Sequence, residues 1–296
     1  MKPLYRKILQ YFLGLVLILV IASLAYLQHL GIWNVIFPSH KHETVAPEIP
    51  LNIEQPAILL FTKTNSFRHV KGIAAGASLF KSLAPERGWS VFHTENSAVF
   101  NAEDLSRFDV VMFHNASGDT LSKDQQQEFQ HWLQAGGGWV GTHSAGDGSH
   151  QDWPWYVENL IGAKFTAHIM GPQFQVAKVR NELPQHPAMA GLPTHWQHEE
   201  EWYSWEESPN RQDFVVLATI DEDSYTPVQK LFDSEIDLRM GYHPIVWSRC
   251  IGEGRAIYSA MGHAAEAYDN AEHQQLLANA ITWAMDIQNC KEISPG

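Results

Sequence analysis

The segment from Gly136 to Gly146, GGGWVGTHSAG, decides the fold, because it combines the end of a helix, a short buried strand and a sharp turn. Small residues on both sides of one reactive side chain are typical of a strand-to-helix elbow in an α/β sheet. Such elbows lie at the carboxyl edge of the sheet, where open α/β folds bind their ligands. The reactive residue here is His143, so we expect an imidazole exposed at that edge, with Ser144 beside it in a substrate-binding role. A hydrogen-bonded histidine with a purely structural role is the alternative.

Upstream of the elbow, strands alternate with helices. Ala57–Thr62 (AILLFT) is a continuous apolar run, which is typical of a strand buried on both faces. The other elements predicted here are a helix at Val70–Leu83, strands at Trp89–His93, Asp109–Phe113 and Trp139–Gly141, and a helix from Ser122 to Gln134 that begins with a capping box. This alternation predicts right-handed βαβ units and a parallel sheet.

Downstream of the elbow the pattern changes. The predicted elements are a short helix at Trp153–Ile161, strands at Phe174–Val179 and Asp213–Ala218, an antiparallel hairpin of Ile245–Ile251 with Arg255–Ala260, and a closing helix at Ala271–Met285. The connections over residues 146–173 and 181–213 are long for a compact domain. Because long ordered loops are usually functional, we expect them to contribute to a site.

The N-terminal region is predicted to be a membrane anchor. The run Ile8–Leu27 is apolar except for Gln10 and Ser23, and about 20 such residues span a bilayer as a helix. Basic residues precede the run, so the positive-inside rule places the body of the protein outside the cytoplasm, in the periplasm. A signal peptide cleaved near Ala25, which would release a secreted protein, is the alternative. We favour the anchor because the apolar run is longer than that of a usual signal peptide.

The chain therefore divides into an anchor at 1–30, a proline-containing linker at 31–56, an α/β domain at 57–288 and a tail at 289–296. His40 and His42 lie in the linker and are expected to have no role. The whole chain has a formal net charge of −13, and its first 30 residues carry three basic residues and no acid. The remainder therefore has a net charge of about −16. Such a body repels phosphate backbones, and we expect no nucleic-acid partner.

The two cysteines, Cys250 and Cys290, form no metal-binding or redox motif, although one disulfide is compatible with them. The 11 tryptophans and 16 histidines are more informative. Tryptophan is common where sugars are bound, because its flat face stacks on the C–H face of a sugar, but it is also a common core residue. The tryptophans are therefore compatible both with a saccharide-binding surface and with core packing.

Several candidate site residues follow predicted strands, and the carboxyl ends of parallel strands meet at one edge. His69 follows the first strand, Asn115 follows the third, and His263 follows the last strand of the hairpin. With His143 and His168, these histidines give four candidate ligands for a divalent metal such as zinc or manganese, together with a carboxylate. The acidic stretch 194–203 offers Glu200 or Glu201 to orient a histidine or bind sugar hydroxyls, unless it is only a solvated turn.

Six motifs together resemble the ThuA, or trehalose-utilisation, family over about residues 57–286. They are FTKTNSFRH (61–69), GWVGTHSA (138–145), GAKFTAH (162–168), EEWY (200–203), YHPIVW (242–247) and GRAIYSAMGH (254–263). The resemblance implies a class I glutamine amidotransferase-like fold, which is a three-layer α/β/α sandwich related to the flavodoxin-like arrangement. It also implies use of trehalose and related disaccharides, including keto forms, and a site composed of His69, His143, His168, Glu201 and His263.

One departure from the amidotransferases decides the chemistry. Those enzymes carry a cysteine at the elbow, whereas this chain carries His143, and its two cysteines lie elsewhere. Because a thiolate is the nucleophile in glutamine hydrolysis, that reaction is excluded by the usual route.

Two hypotheses of function follow. The first is a membrane-tethered enzyme that acts on a saccharide or keto-saccharide by histidine acid/base or metal-assisted chemistry. In it, His143, Glu201 and His263 are catalytic, and His69, Asn115, Ser144 and His168 bind substrate. The second is a non-catalytic carbohydrate-binding or assembly module at the membrane, in which tryptophans form a stacking surface. That surface would comprise Trp153, Trp155, Trp196, Trp202 and Trp205.

Overall fold

The structure is a computed structural model of the chain and describes residues 3–209, 213–231, 234–286 and 290. Its helices are α1 Pro3–His29, α2 Trp33–Ile36, α3 Val70–Arg87, α4 Ala102–Leu105, α5 Lys123–Gln134 and α6 Ala271–Ala284. Its strands are β1 Ala57–Phe61, β2 Ser90–Thr94, β3 Val110–His114, β4 Gly138–Thr142, β5 Phe165–His168, β6 Gln175–Asn181, β7 His195–Glu200, β8 Tyr203–Trp205, β9 Val215–Asp221, β10 Val228–Leu231, β11 Ser234–Asp237, β12 Pro244–Ile251 and β13 Gly254–Ser259.

A nine-stranded sheet in the order β2-β1-β3-β4-β13-β12-β9-β6-β7 forms the centre of the domain. The strands from β2 to β13 in this order pair in parallel, and the rest pair antiparallel. Within the described residues, seven of these nine strands point in one direction, since only β12 and β6 are reversed. The prediction of an α/β fold with a mostly parallel sheet is therefore confirmed, and the fold is consistent with the flavodoxin-like arrangement.

Helices cover both faces of the sheet. Successive residues of a strand point to opposite faces, and the last two residues of β3 show which helix lies on each side. Phe113 packs against Phe129 of α5, with ring centroids 5.4 Å apart. His114 packs against Phe80 of α3 on the other face, with centroids also 5.4 Å apart. The helix α6 shares the face of α3, because Tyr268 lies between His114 and this helix.

The elements predicted from regular patterns agree closely with the structure. The capping box at Ser122 and Gln125 is present at the start of α5. Each end of the first four strands lies within one residue of its predicted position. The predicted hairpin is the antiparallel pair β12–β13.

Other predictions were wrong or incomplete. The helix expected at 153–161 is a π-helical turn at Tyr156–Ile161. The acidic stretch that includes Glu200 contains the strand β7 and not a solvated turn. Its buried positions are Trp196, His198 and Glu200, so the alternation of buried and exposed residues is real. It escaped detection because two of these three buried side chains are polar.

The helix α1 has 27 residues. Its Tyr5–His29 portion has a mean hydropathy of 2.5 and is unburied. By length and composition this helix fits both a membrane span and a signal sequence. The predicted tail lies outside the described residues except for Cys290, which forms a disulfide with Cys250 of β12 across a Cα–Cα distance of 5.7 Å.

The segment between α1 and β1 packs against the domain at several points. His40 and His42, which were expected to have no role, both lie within hydrogen-bond distance of Asp119. The Glu43 carboxylate pairs with Lys63 and accepts hydrogen bonds from the amide and the hydroxyl of Ser97 at 3.0 and 2.9 Å. Partial burial alone would raise the pKa of Glu43, but the bonds from Lys63 and Ser97 lower it to about 2.

We therefore expect Glu43→Gln to destabilise the domain in a pH-dependent manner. Because the pKa of Glu43 in the folded state lies below its ordinary value of 4.5, its stabilising effect is complete above that pH and disappears as the pH falls towards 2. Urea unfolding at pH 7 is expected to show a loss of about 1 kcal/mol, discounted for partial exposure. The loss should vanish near the folded-state pKa, and Glu48→Gln in the exposed part of the same segment should have no effect. A loss of equal size at both pH values would contradict this role.

Candidate active site

The elbow residue His143 is placed by the end of β4. Its φ of 46° is in the left-handed region, which is unusual for a residue with a Cβ atom, and a short helical turn follows directly. The imidazole is completely buried, so the prediction of an exposed ring was wrong. The reason is that the long connection that carries Tyr203 closes over the edge of the sheet. The ring donates from Nδ1 to the Ala260 carbonyl at 2.8 Å, which directs Nε2 towards the other site residues.

Three histidines and a carboxylate converge at this point. Nε2 of His143 lies 3.1 Å from Nδ1 of His263, which lies 2.9 Å from Oε2 of Glu201. The ring centroid of His69 lies 4.6 Å from that of His143 and 4.4 Å from that of His263. One ligand atom from each of the four residues lies within 4.8 Å of the others. His143 follows β4, His263 lies in the loop after β13, and Glu201 follows β7. His69 lies at the end of the loop between β1 and α3, so the topology of the sheet brings the four residues together.

Glu201 is the charged centre of the cluster. Its Oε2 contacts His263 and lies 3.5 Å from Nε2 of His143, while its Oε1 lies 3.0 Å from Nδ1 of His168. Gln173 also donates a hydrogen bond to Oε1. Burial alone would raise the pKa of Glu201, but the hydrogen bonds and charges of His143 and His263 hold it well below its usual range. This carboxylate therefore stays ionised.

The pKa values of the two buried imidazoles of the cluster, His69 and His143, are shifted in opposite directions. Burial, followed by the charges of His143 and His263, lowers the pKa of His69 well below 6.5, so this ring is neutral. Burial also opposes protonation of His143, but the hydrogen bond to Glu201 and the nearby carboxylates outweigh it and raise the pKa of His143. Nδ1 of His69 is buried and has no hydrogen-bond partner among the described residues. A neutral imidazole with an unpaired nitrogen is the form that binds a metal.

The geometry of the cluster fits a divalent metal ion. Ligands about 2.0–2.1 Å from a tetrahedral zinc ion lie about 3.3 Å apart from one another, and the separations of 2.9, 3.1 and 3.5 Å within the cluster bracket that value. The cluster combines three of the four candidate histidines with one carboxylate, as the sequence led us to expect, and that carboxylate is Glu201. The fourth candidate, His168, lies at the other oxygen of Glu201.

Two predicted substrate-binding residues have a structural role in this fold. Asn115 and Ser144 are both completely buried. The Asn115 amide donates to the Gly262 carbonyl at 3.0 Å, and the Ser144 hydroxyl donates to Asn115 at 3.3 Å. Both side chains point into the packed interior at the sheet edge, because the chain turns sharply there, and so they hold the loop before His263. The expectation that they contact substrate is corrected accordingly.

Glu200 holds the same loop from the other side. Its carboxylate accepts a hydrogen bond from the amide of Gly262 at 2.5 Å and longer ones from the amide of His263. Burial alone would raise the pKa of Glu200, but His198, His143 and the Gly262 amide lower it to about 2. The two adjacent glutamates thus have different tasks, since Glu200 positions the backbone of the loop and Glu201 contacts the imidazoles.

Sequence reasoning overlooked Tyr203. Its hydroxyl lies 2.8 Å from Nε2 of His143, and burial raises the pKa of Tyr203 well above 10, so the phenol remains protonated. The signal was the position of this tyrosine two residues after Glu201. A strand that resumes immediately after a site carboxylate places both side chains on one face.

The cluster lies at the base of an open cavity. A cavity of about 290 Å³ is lined by His69, His168, Gln173, Glu201, Tyr203 and His263, among others. A second cavity of about 620 Å³ shares His69, His263 and Phe67 with the first. His168, which was predicted to bind substrate, is partly exposed in the first cavity, with 23% of its side chain accessible. The arrangement supplies a charged carboxylate, neutral and protonated imidazoles and a phenol to one cavity, as an active site for acid/base or metal-assisted chemistry requires.

Comparisons with known proteins identify the family of the chain. The model of the ThuA family, described as trehalose utilisation, matches residues 57–284, and the chain belongs to this family. A ThuA-like protein from Bacteroides uniformis is 26% identical, with a TM-score of 0.67 over 81% of this chain and 95% of that one. A ThuA-like protein from Parabacteroides merdae, 18% identical, has the same fold, with a TM-score of 0.61 over 81% and 93% of the two chains. No curated protein matches the sequence significantly.

We expect Glu200→Gln to loosen the loop that carries His263. The neutral amide weakens the buried hydrogen bond to Gly262, so the free energy of unfolding should fall by about 2 kcal/mol. Glu199→Gln changes an exposed neighbour in the same strand and should alter stability by less than about 0.5 kcal/mol. Chemical denaturation of the two variants measures the difference, and equal stabilities would refute the positioning role.

We also expect the full-length protein, after treatment with a chelator and dialysis, to bind Zn²⁺ or Mn²⁺ in a single step at one ion per chain. His69→Ala should weaken that binding by more than about 100-fold, since even outer-sphere partners of a metal contribute about 10- to 100-fold. His131→Ala, on the exposed side of α5, is the control and should bind as the unmodified chain does. Calorimetry with each metal gives the affinities. Identical affinity in the two variants would show that the ion binds elsewhere.

Proposed function

We propose that the protein is a membrane-tethered enzyme that acts on a saccharide or keto-saccharide outside the cytoplasm. The observation that carries the proposal is the convergence of His69, His143, Glu201 and His263, of which all except the buried His143 line an open cavity. Membership of the ThuA family supports the choice of a sugar substrate. The Cys250–Cys290 disulfide supports the location, because such bonds persist in oxidising compartments.

The site residues divide the chemistry among them. A divalent ion held by His69, His143, His263 and Glu201 would supply a Lewis acid for a carbonyl or hydroxyl oxygen of the sugar. His168 lies outside that donor set but faces the same cavity. Because its Nδ1 is held by Glu201 at 3.0 Å, its Nε2 is the nitrogen left to take up a proton from bound substrate. Tyr203, which stays protonated, fixes the orientation of the His143 ring.

This arrangement suits proton transfer next to a keto group. A carbonyl acidifies the adjacent C–H bond, so a single imidazole base can remove that proton. The electron pair then moves towards the carbonyl oxygen, which positive charge in the site stabilises. If the deprotonated carbon carries a hydroxyl group, return of the proton to the former carbonyl carbon, with transfer of the hydroxyl proton to the former carbonyl oxygen, completes an isomerisation. Departure of an oxygen substituent from the carbon on the other side of the deprotonated carbon completes an elimination.

The alternative of a non-catalytic carbohydrate-binding module loses its main support. The proposed stacking surface requires exposed tryptophan faces, but Trp153, Trp196, Trp202 and Trp205 are each at most 6% exposed. Trp155 is half-buried and packs on Trp153 with ring centroids 5.9 Å apart. The indole rings therefore belong to the core, and a sugar cannot stack on them.

The test is exchange of the proton next to a keto group. We expect the full-length protein with Mn²⁺ or Zn²⁺ to transfer deuterium from D₂O into a disaccharide oxidised to its keto form, as followed by NMR. His168→Ala should slow the exchange by about 100-fold or more even at saturating metal, as loss of a general base does, while metal affinity falls by no more than the roughly 10- to 100-fold that an outer-sphere partner contributes. His143→Ala should lose both exchange and metal binding, and His131→Ala should lose neither. Equal turnover by His143→Ala and the unmodified protein would remove this cluster as the reaction centre.

A further inference from the structure

The end of the apolar helix α1 is attached to the loop that carries His69. The Gly31 carbonyl accepts a hydrogen bond from the Arg68 amide at 2.8 Å, and the Asn34 amide donates to the Thr64 carbonyl at 2.8 Å. Gly31 has a φ of 76°, and a Cβ atom there would lie 1.9 Å from the Arg68 carbonyl oxygen. Only glycine permits this contact, so the exit of the helix and the site loop approach as closely as two backbones can.

The same helix end forms part of the wall of the larger site cavity. His29 and Leu30 line the cavity of about 620 Å³ together with Phe67, His69 and His263. A cavity that opens beside the metal-ligand candidates thus has the last residues of α1 at its rim.

Length places this rim relative to a bilayer. About 20 residues at 1.5 Å per residue cross the hydrocarbon core, and the apolar run ends at Leu27. Leu30 therefore lies only about 5 Å beyond the core boundary, within the headgroup layer. The rim of the cavity must lie at the same level, because Gly31 is bonded to Arg68.

The surface around the rim has the character of a lipid contact. Val35, Ile36 and Phe37 follow the anchor directly and are 53%, 49% and 52% exposed, although they are large and apolar. Lys71 is exposed at the rim of the same cavity. Apolar side chains beside a membrane anchor suit the interface of a bilayer, while the exposed charges that line the cavity are of both signs, since Glu199 and Glu266 lie there with Lys71.

We propose that residues 30–37 and the rim at Lys71 rest on the outer surface of the bilayer, so that the site cavity opens at the membrane surface and not into bulk solvent. The proposed partner of this surface is the lipid bilayer in which the anchor is inserted. The inference rests on the membrane tethering in the proposed function, but not on the reaction. A substrate would then enter the site within the headgroup layer.

The test measures the surroundings of spin labels on the full-length protein in vesicles of phosphatidylcholine and phosphatidylglycerol. Lys71→Cys places a label at the cavity rim and Ile36→Cys places one on the segment 30–37; these two are called the rim labels. His131→Cys places a label on the exposed side of α5 as the control. Both native cysteines are joined to each other, so only the introduced thiol reacts. We expect the rim labels to collide several-fold more with oxygen, relative to a water-soluble nickel chelate, than the control label does.

A second comparison tests the attachment itself. Gly31→Ala should reduce the oxygen preference of the Lys71 label, because the Arg68 carbonyl must move away from the added methyl group. Gly14→Ala, within the anchor, adds a methyl group where no atom lies within 4 Å, and should leave the label unchanged.

The outcomes separate the two proposals. Rim labels as exposed to the nickel chelate as the control, in a chain that is inserted in the vesicles, would overturn the surface contact alone. A chain cleaved near Ala25 or recovered free of the vesicles would overturn both the contact and the tethering. An oxygen preference at the rim that Gly31→Ala lowers and Gly14→Ala leaves intact would support the contact.

Discussion

The buried carboxylate of Glu201 is the constraint on which the site depends. A charge at this depth is costly unless it is paired, and three imidazoles supply the pairing through both carboxylate oxygens. Each of those histidines comes from a different part of the chain, so they reach Glu201 only when the sheet is complete. The charge in turn decides how the rings differ. It favours a proton on His143, while His69, which burial keeps neutral, is left with an unpaired nitrogen.

The antiparallel half of the sheet is what converts an open elbow into an enclosed site. In a purely parallel sheet the residue after β4 would face solvent at the carboxyl edge. Here the connection after β7 carries Glu201 and Tyr203 over that edge, and Glu200 fixes the loop after β13 through the Gly262 amide. The imidazole of His143 is therefore buried behind other polar groups and not in apolar packing. Its Nε2 still faces His263 and Glu201, so burial does not separate the ring from the other residues of the cluster.

The sequence predicted those parts of the structure that local patterns encode. Continuous apolar runs identified β1 and β3, the Ser122 capping box identified α5, and strand ends identified His69, His143 and His263 as neighbours. It failed where tertiary contacts override the pattern. The strand β7 was missed because His198 and Glu200 occupy its core-facing positions, and the roles of Asn115, Ser144 and Tyr203 depend on burial, which one sequence does not show. Which of Glu201 and His168 lies within ligand distance of the other three residues depends on differences of a few ångströms, which only coordinates show.

The elbow itself explains why this fold supports different chemistries. A left-handed φ at the residue after β4 turns its side chain sharply from the strand direction, whatever that side chain is. With a cysteine, the turn presents a nucleophile to an acyl carbon. With His143, Nδ1 donates to the Ala260 carbonyl, so the ring is fixed in one orientation and only Nε2 faces the other site residues. A fixed imidazole is well suited to hold an ion or share a proton and poorly suited to attack a substrate. In this chain the left-handed backbone at His143 therefore positions an imidazole against Glu201 and His263.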